Sequence, residues 1–137
     1  MRQTNLIKAS SLYETEPWGL SSQPLFLNQA AEITTSLSAR QVLERCQEIE
    51  HFLGRERGDR WAARLIDIDL LIYGNELTAT PLLTLPHPYI EQRKFVLIPL
   101  VELEPDLILP GSGKSVLQLL ESCKDTKEVS LYKWSKI

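Results

Sequence analysis

Hydrophobic and polar positions along the chain sort into short strand-like and helix-like stretches. Leu6 to Thr15 (Leu-Ile-Lys-Ala-Ser-Ser-Leu-Tyr-Glu-Thr) reads as a strand, and Pro17, Gly19, Ser21, Ser22 and Pro24 then break the chain into a loop. A second strand is predicted over about Phe26 to Ser36. Ser38 begins a helix, with Gln41 three residues on, so that the hydroxyl can cap a free N–H while the amide reaches back. Val42, Cys46, Ile49 and Phe52 or Leu53 recur at helical spacing, and Gly54 supplies a stop. A charged loop, Arg55-Glu56-Arg57-Gly58-Asp59-Arg60, precedes the apolar run Leu65 to Tyr73, whose length and β-branching predict a strand. Gly74-Asn75 makes a turn and Leu85-Pro86-His87-Pro88 a stiff extended loop. A helix from Glu91 to Glu102 is expected to break at Pro99, and a last helix runs over Ser115 to Ser122. Strands and helices intermix without an internal repeat, which implies one α+β domain over residues 1–137.

Composition narrows the function classes. A formal net charge of −3 lacks the basic footprint of broad nucleic-acid binding. No apolar run approaches the roughly eighteen residues of a membrane span, and the start Met1-Arg2-Gln3-Thr4-Asn5 lacks a secretory core. Two scattered cysteines make no disulfide framework, so a reducing, cytoplasmic setting is expected.

The candidate chemistry lies in Leu65-Ile66-Asp67-Ile68-Asp69-Leu70. In an extended strand Asp67 and Asp69 share a face while Ile66, Ile68 and Leu70 point the other way. Carboxylates on backbone positions about 6.6 Å apart repel by roughly 2.5 kcal/mol at an effective dielectric near 20, so the pair asks for a cation. Magnesium, which keeps waters and completes its shell with phosphates, suits them. A solvated acidic sheet face is the bland alternative. Arg55, Arg57, Arg60 and Arg64 stand just upstream, and guanidinium forks match phosphate oxygens, although a solvated loop pairing with Glu56 and Asp59 also accounts for them. Of the two histidines, His87 between two prolines is the functional candidate and His51 is not. Glu50 falls near the apolar side of its helix, and a buried salt bridge and a site role both remain open. Gly111-Ser112-Gly113-Lys114-Ser115 ends like a phosphate-binding loop, but Ile108 stands where the first glycine is required, so a plain turn is the better reading.

Six segments in order resemble the hydroxymethyldihydropterin pyrophosphokinases of folate biosynthesis: Ser10-Ser11-Leu12-Tyr13-Glu14-Thr15, Gln23-Pro24-Leu25-Phe26-Leu27-Asn28, Gly54-Arg55-Glu56-Arg57, Arg60-Trp61, Arg64 to Asp69, and Leu85-Pro86-His87-Pro88. The resemblance extends from about Ser10 to Asp106. It implies a monomer with a ferredoxin-like sandwich that transfers pyrophosphate from ATP to the pterin alcohol and releases AMP. It further implies that Asp67 and Asp69 hold two magnesium ions and that Arg55 and Arg64 act on the phosphates during catalysis. Arg57, Leu70, Thr84, His87 and Arg93 would contact ATP. Asn28 would read the pterin edge, Phe26 and Phe95 would sandwich its ring, Trp61 would sit on a closing loop, and Thr15 and Trp18 would wall the pocket.

The chain departs from the family pattern in several places. Ala62-Ala63 stands where Gly-Pro is usual, Glu16 replaces a proline and Phe26 a tyrosine. Members normally open with a strand, a Gly-Ser-Asn turn and a helix, whereas this sequence starts at what looks like the second strand. The expectation is therefore a shortened chain or one completed by strand exchange between copies. The competing classes are a non-catalytic ferredoxin-like binding module and a metal-dependent phosphohydrolase.

Overall fold

A computed structural model describes residues 3–15, 26–55 and 66–132. In chain order its elements are β1 (Thr4–Ala9), β2 (Tyr13–Thr15), β3 (Phe26–Asn28), β4 (Ala31–Thr35), α1 (Ala39–Arg55), β5 (Thr78–Ala79), β6 (Thr84–Leu85), α2 (Lys94–Leu103), α3 (Val116–Ser122) and β7 (Val129–Leu131). A short 3-10 turn over Ile90–Gln92 precedes α2. The described residues thus form a mixed α and β structure whose strands all pair antiparallel.

The two long strands expected near the start are each divided. β1 pairs with β4, Thr4 opposite Thr35, and β2 pairs with β3, Tyr13 opposite Asn28. The two strands do run alongside each other, but they bend together where Ser10 meets Ala30. Ser10 N–H donates to the Ala30 carbonyl at 2.8 Å, Ala30 N–H donates to Ser10 Oγ at 2.9 Å, and Gln29 Nε2 donates to the Ser10 carbonyl at 2.7 Å. Ser10 spends its bonding capacity on that crossing rather than on a continuous ladder. Glu102 on α2 fixes the outer side of the bend. Its carboxylate accepts Ser11 N–H at 3.0 Å and the Tyr13 hydroxyl at 2.5 Å, and burial together with this anionic acceptor pushes the Tyr13 phenol up to about 12. β2 also pairs with β7, a strand the sequence pattern did not announce, making a three-stranded sheet in the order β3-β2-β7.

Local capping worked as the sequence indicated. Gln41 N–H donates to Ser38 Oγ at 3.2 Å and Ser38 N–H to Gln41 Oε1 at 2.9 Å, a reciprocal pair that starts α1. Ser115 and Gln118 repeat the device at α3. Three expectations need correction. α1 runs through Gly54 to Arg55, and of its apolar stripe Val42 and Cys46 are buried while Ile49 and Phe52 are 39% and 60% exposed. Pro99 does not break α2 but lies inside it, its ring among the fully buried side chains, and that burial offsets the lost backbone bond.

The third correction concerns the apolar run over 65–73. Its described residues, 66–73, join no strand ladder. Their polar groups find single partners instead: Ile68 N–H donates to Glu50 Oε2 at 2.6 Å, the Leu71 carbonyl accepts His87 N–H at 2.8 Å, and the Tyr73 hydroxyl donates to the Leu37 carbonyl at 2.5 Å. Leu71 and Ile72 anchor the segment against the main core of Ala30, Ile90, Leu97, Leu100, Leu109, Val116 and Leu119.

The residues around Gly111-Ser112-Gly113-Lys114-Ser115 form a turn, as expected. Gly111 and Gly113 take φ of 82° and 71°, Leu109 N–H closes the turn on the Lys114 carbonyl at 2.9 Å, and Ile108 bridges Ser115.

Leu97 has no exposed surface, so Leu97→Ala should cost about 2–5 kcal/mol in urea unfolding, whereas Leu97→Met should cost less than about 1.5 kcal/mol.

Candidate functional site

The acidic pair sits on the segment pinned by Glu50, and Asp67 and Asp69 are both exposed. The pin matters because an extended segment without a ladder has little else to fix its backbone. A carboxylate accepting an N–H at 2.6 Å is a charge-assisted bond, which holds Ile68 between the two aspartates. Glu50 is thus the residue whose role the sequence left open. Its place five residues before the end of an amphipathic helix was the available signal, and the partner could not be read from the chain.

A small cavity of about 260 Å³ opens beside the pair, lined by Asp69, Leu70, Thr84 and His87 together with Leu43 and Pro81 to Leu83. Four of the sequence-selected residues therefore meet at one place. β5 and β6 form a short ribbon, Thr78 opposite Leu85 and Ala79 opposite Thr84, that delivers Thr84 to this wall. The stretch after β6 includes a cis Leu85–Pro86 peptide and brings His87 back against Leu71. Tyr89 N–H donates to His87 Nδ1 at 3.3 Å, which requires that ring nitrogen to be unprotonated. Burial lowers the His87 pKa, Arg93 lowers it further, and the nearby Asp69 carboxylate opposes both. Burial likewise pushes the Cys46 thiol up, aided by the Glu50 and Asp69 charges, which places both carboxylates near that face of α1.

Arg93 and Phe95 stand to the other side of Tyr89, whose ring lies 6.0 Å from that of His87. They line a second, larger cavity of about 840 Å³ at the start of α2, with no lining residue in common with the first. The Arg93 guanidinium rests over the Tyr89 ring at 4.9 Å and over Phe95 at 5.7 Å. Thr15, Phe26 and Asn28 form a third group on the β2–β3 pair, where Thr15 faces Phe26 across the ladder and Asn28 Nδ2 donates to Thr15 Oγ1 at 3.2 Å. Phe26 is 56% exposed. This group lines neither cavity, although α2 packs against both of its strands. Arg57, Arg64, Trp18 and Trp61 fall outside the described residues, as does the side chain of Arg55 at the end of α1.

Among the described residues no set of three or more His, Cys, Asp or Glu side chains gathers around one point. Two exposed carboxylates either side of the pinned Ile68 nonetheless fit the donor set of a hard cation that takes its remaining ligands from water and phosphate. Among the described residues no helix is long and apolar enough to cross a membrane.

Antiparallel strand pairs, packed helices and an exposed carboxylate pair beside a small cavity define an α+β protein with an acidic-pair site. Residues 1–105 match the family described as 7,8-dihydro-6-hydroxymethylpterin-pyrophosphokinase, and the chain belongs to that family. It is 39% identical over 131 residues to the 2-amino-4-hydroxy-6-hydroxymethyldihydropteridine pyrophosphokinase of Haemophilus influenzae, an overlap covering 96% of this chain and 81% of that protein. The enzyme of the same name from Pseudomonas aeruginosa is 40% identical over 121 residues, 88% of this chain and 74% of that one. The Aquifex aeolicus enzyme is 41% identical over 103 residues, 75% of this chain and 64% of its own length.

If Glu50 holds the acidic segment, Glu50→Ala should speed hydrogen exchange at the Ile68 amide by at least about tenfold, and Glu50→Gln, which keeps an acceptor oxygen, should restore most of the protection. His87 sets a pH dependence. Its folded pKa lies below the unfolded value of 6.5, so the unfolded chain binds the proton first and stability falls as pH drops from above 6.5 through the folded value. Urea midpoints measured between about pH 7.5 and pH 5 should show this decline in the wild type and a smaller one in His87→Gln.

Proposed function

We propose that this protein transfers pyrophosphate from ATP to 6-hydroxymethyl-7,8-dihydropterin, giving AMP and the pterin diphosphate, a step of folate biosynthesis. The observation that carries the proposal is the family match over residues 1–105, which spans the acidic pair, His87, Phe26 and Phe95. The meeting of Asp69, Leu70, Thr84 and His87 at one cavity supports it.

In this reading Asp67 and Asp69 hold two magnesium ions, which when bound neutralise the phosphate charge that would otherwise repel the incoming alcohol oxygen. Leu70, Thr84 and His87 hold the nucleotide at the small cavity, with Arg57 and Arg93 as further ATP contacts. A neutral His87 suits that task, since its Nδ1 accepts Tyr89 N–H and Nε2, which then carries the proton, can donate to a phosphate oxygen. Arg55 and Arg64 stabilise charge that develops as the pterin hydroxyl attacks the β-phosphorus and the bond to AMP breaks. Catalysis of this kind rests on alignment and electrostatics. Asn28, Thr15, Phe26 and Phe95 form the pterin pocket with Trp18 and Trp61. Asn28 spends one N–H on Thr15, and its carbonyl oxygen and second N–H offer the acceptor and donor that a pterin edge needs.

The same reading takes the architecture as ferredoxin-like, supported by antiparallel β1 and β4 followed by α1, and the protein as a monomer. It places the protein in the cytoplasm, in keeping with the free thiols of Cys46 and Cys123.

Asp69→Asn tests the assignment. Asp69 is exposed, so the substitution should leave the unfolding midpoint within about 0.5 kcal/mol of wild type. AMP production from ATP, magnesium and the pterin alcohol should nevertheless fall at least about a thousandfold. Unchanged turnover would remove the metal role. A wild type that binds magnesium-ATP without forming AMP would point to a binding module, and phosphate release without pterin to a phosphohydrolase.

A further inference from the structure

The residues read as the pterin pocket stand on two elements. In an antiparallel ribbon, side chains two apart share a face, and so do directly opposed partners. Tyr13 opposite Asn28 and Thr15 opposite Phe26 therefore all project from one face of the β2–β3 pair. The bond from Asn28 Nδ2 to Thr15 Oγ1 at 3.2 Å agrees with that placement. Phe95 stands apart from them, in the first turn of α2. A flat ring held between Phe26 and Phe95 needs the gap between ribbon and helix to be set in advance.

Tyr13 is the member of that face which reaches the helix. Its hydroxyl donates to Glu102 Oε1 at 2.5 Å, while Ser11 donates its N–H to Glu102 Oε2 at 3.0 Å and its hydroxyl to the same oxygen at 3.4 Å. Lys8 Nζ adds a bond to the Leu103 carbonyl at 3.2 Å, so residues 8, 11 and 13 clasp the C-terminal end of α2. An acid in a last turn opposes the helix dipole, and no basic residue shares that turn. Glu102 is thus a poor choice for the helix itself, and the donors from the strands offset the cost. Burial and the carboxylate push the Tyr13 phenol up to about 12, so it remains a donor at neutral pH.

We infer that Glu102, acting through Tyr13, is a positioning residue for the pterin: it fixes the spacing between the ribbon face that carries Thr15, Phe26 and Asn28 and the helix that carries Phe95. The inference rests on the reading that these residues take the pterin. Glu102 stands seven residues, about 10.5 Å of rise, from Phe95, and so acts on the pocket through the stiffness of α2. Because Tyr13 pairs with Asn28 across the ladder, releasing its hydroxyl loosens the backbone position that aims the amide. The small cavity that Asp69 and His87 line takes nothing from Tyr13 or Glu102, so the nucleotide side is left alone.

The test compares wild type with Tyr13→Phe, which removes one oxygen, and with Glu102→Ala and Glu102→Gln, each checked by its melting temperature. Binding of the pterin alcohol is measured at equilibrium by pterin fluorescence, with magnesium and α,β-methylene-ATP present so that no transfer occurs. KM for the pterin and for ATP is measured from AMP formation. Tyr13→Phe and Glu102→Ala should weaken pterin binding and raise its KM at least about tenfold, with the KM for ATP within about twofold of wild type. Glu102→Gln keeps an acceptor oxygen and should recover most of the loss. Tyr13→Phe/Glu102→Ala should bind pterin no more weakly than Glu102→Ala, since the two residues act as one link. Unchanged pterin affinity in Tyr13→Phe and Glu102→Ala, with or without a lowered melting temperature, would overturn the inference, and so would equal losses for pterin and ATP. A wild type that binds no pterin would overturn the pyrophosphate-transfer reading and the inference with it, which separates that failure from one confined to the variants.

Discussion

Leu97 and Val116 have no exposed surface, and the packing of α2 on α3 that buries them is the constraint from which the rest of the described structure hangs. The first turn of α2 places Arg93 and Phe95 at the larger cavity, and its last turn sends Glu102 to hold the bend between β1 and β2. Leu71 and Ile72 lean on the same core, and through them the exposed aspartates acquire a foundation that no strand ladder gives them. The hydrophobic effect acts here at a distance from the candidate chemistry. It fixes the frame, and a few hydrogen bonds then set the details.

Local chemistry was legible in the sequence and long-range choice of partner was not. The Ser38–Gln41 cap follows from residues three apart and formed where expected, and Ser115–Gln118 repeats it at the start of a helix that the pattern placed there. The division of the first two strands did not follow from pattern, because it depends on Ser10 finding Ala30 and on Glu102 reaching back across most of the chain. The stretch 66–73 has the composition of a strand, yet strand propensity describes fitness for a sheet surface and cannot supply a neighbour. β7 was missed for the converse reason: its Val129-Ser130-Leu131 is an ordinary short segment that becomes a strand only beside β2.

The candidate site divides in the same way. Asp69 and His87, selected from residue pattern, and Leu70 and Thr84, selected through a family resemblance, meet at one cavity. Arg93 was selected with them but faces another, in the company of Lys114, which the sequence left in a plain turn, and of Lys124 and Lys127, which no motif singled out. Lysines on the two sides of α3 carry no signal in a linear reading, and their shared location with Arg93 follows from the packing of α2 on α3. Glu50 is the intermediate case, since its helix was visible and its acceptor role toward Ile68 was not.

That acceptor role has a mechanical side. An α-helix is stiff along its axis, and Glu50 stands five residues, about 7.5 Å of rise, before the residue at which α1 ends. Arg55, the first of the four arginines just upstream of the acidic pair, is that last residue, so the root of that stretch and the segment that carries the pair are both tied to one rod. A small rotation of that rod would carry both together, preserving their spacing. The end of α1 and the segment that carries the two aspartates are thereby tied together by a hydrogen bond that touches neither carboxylate.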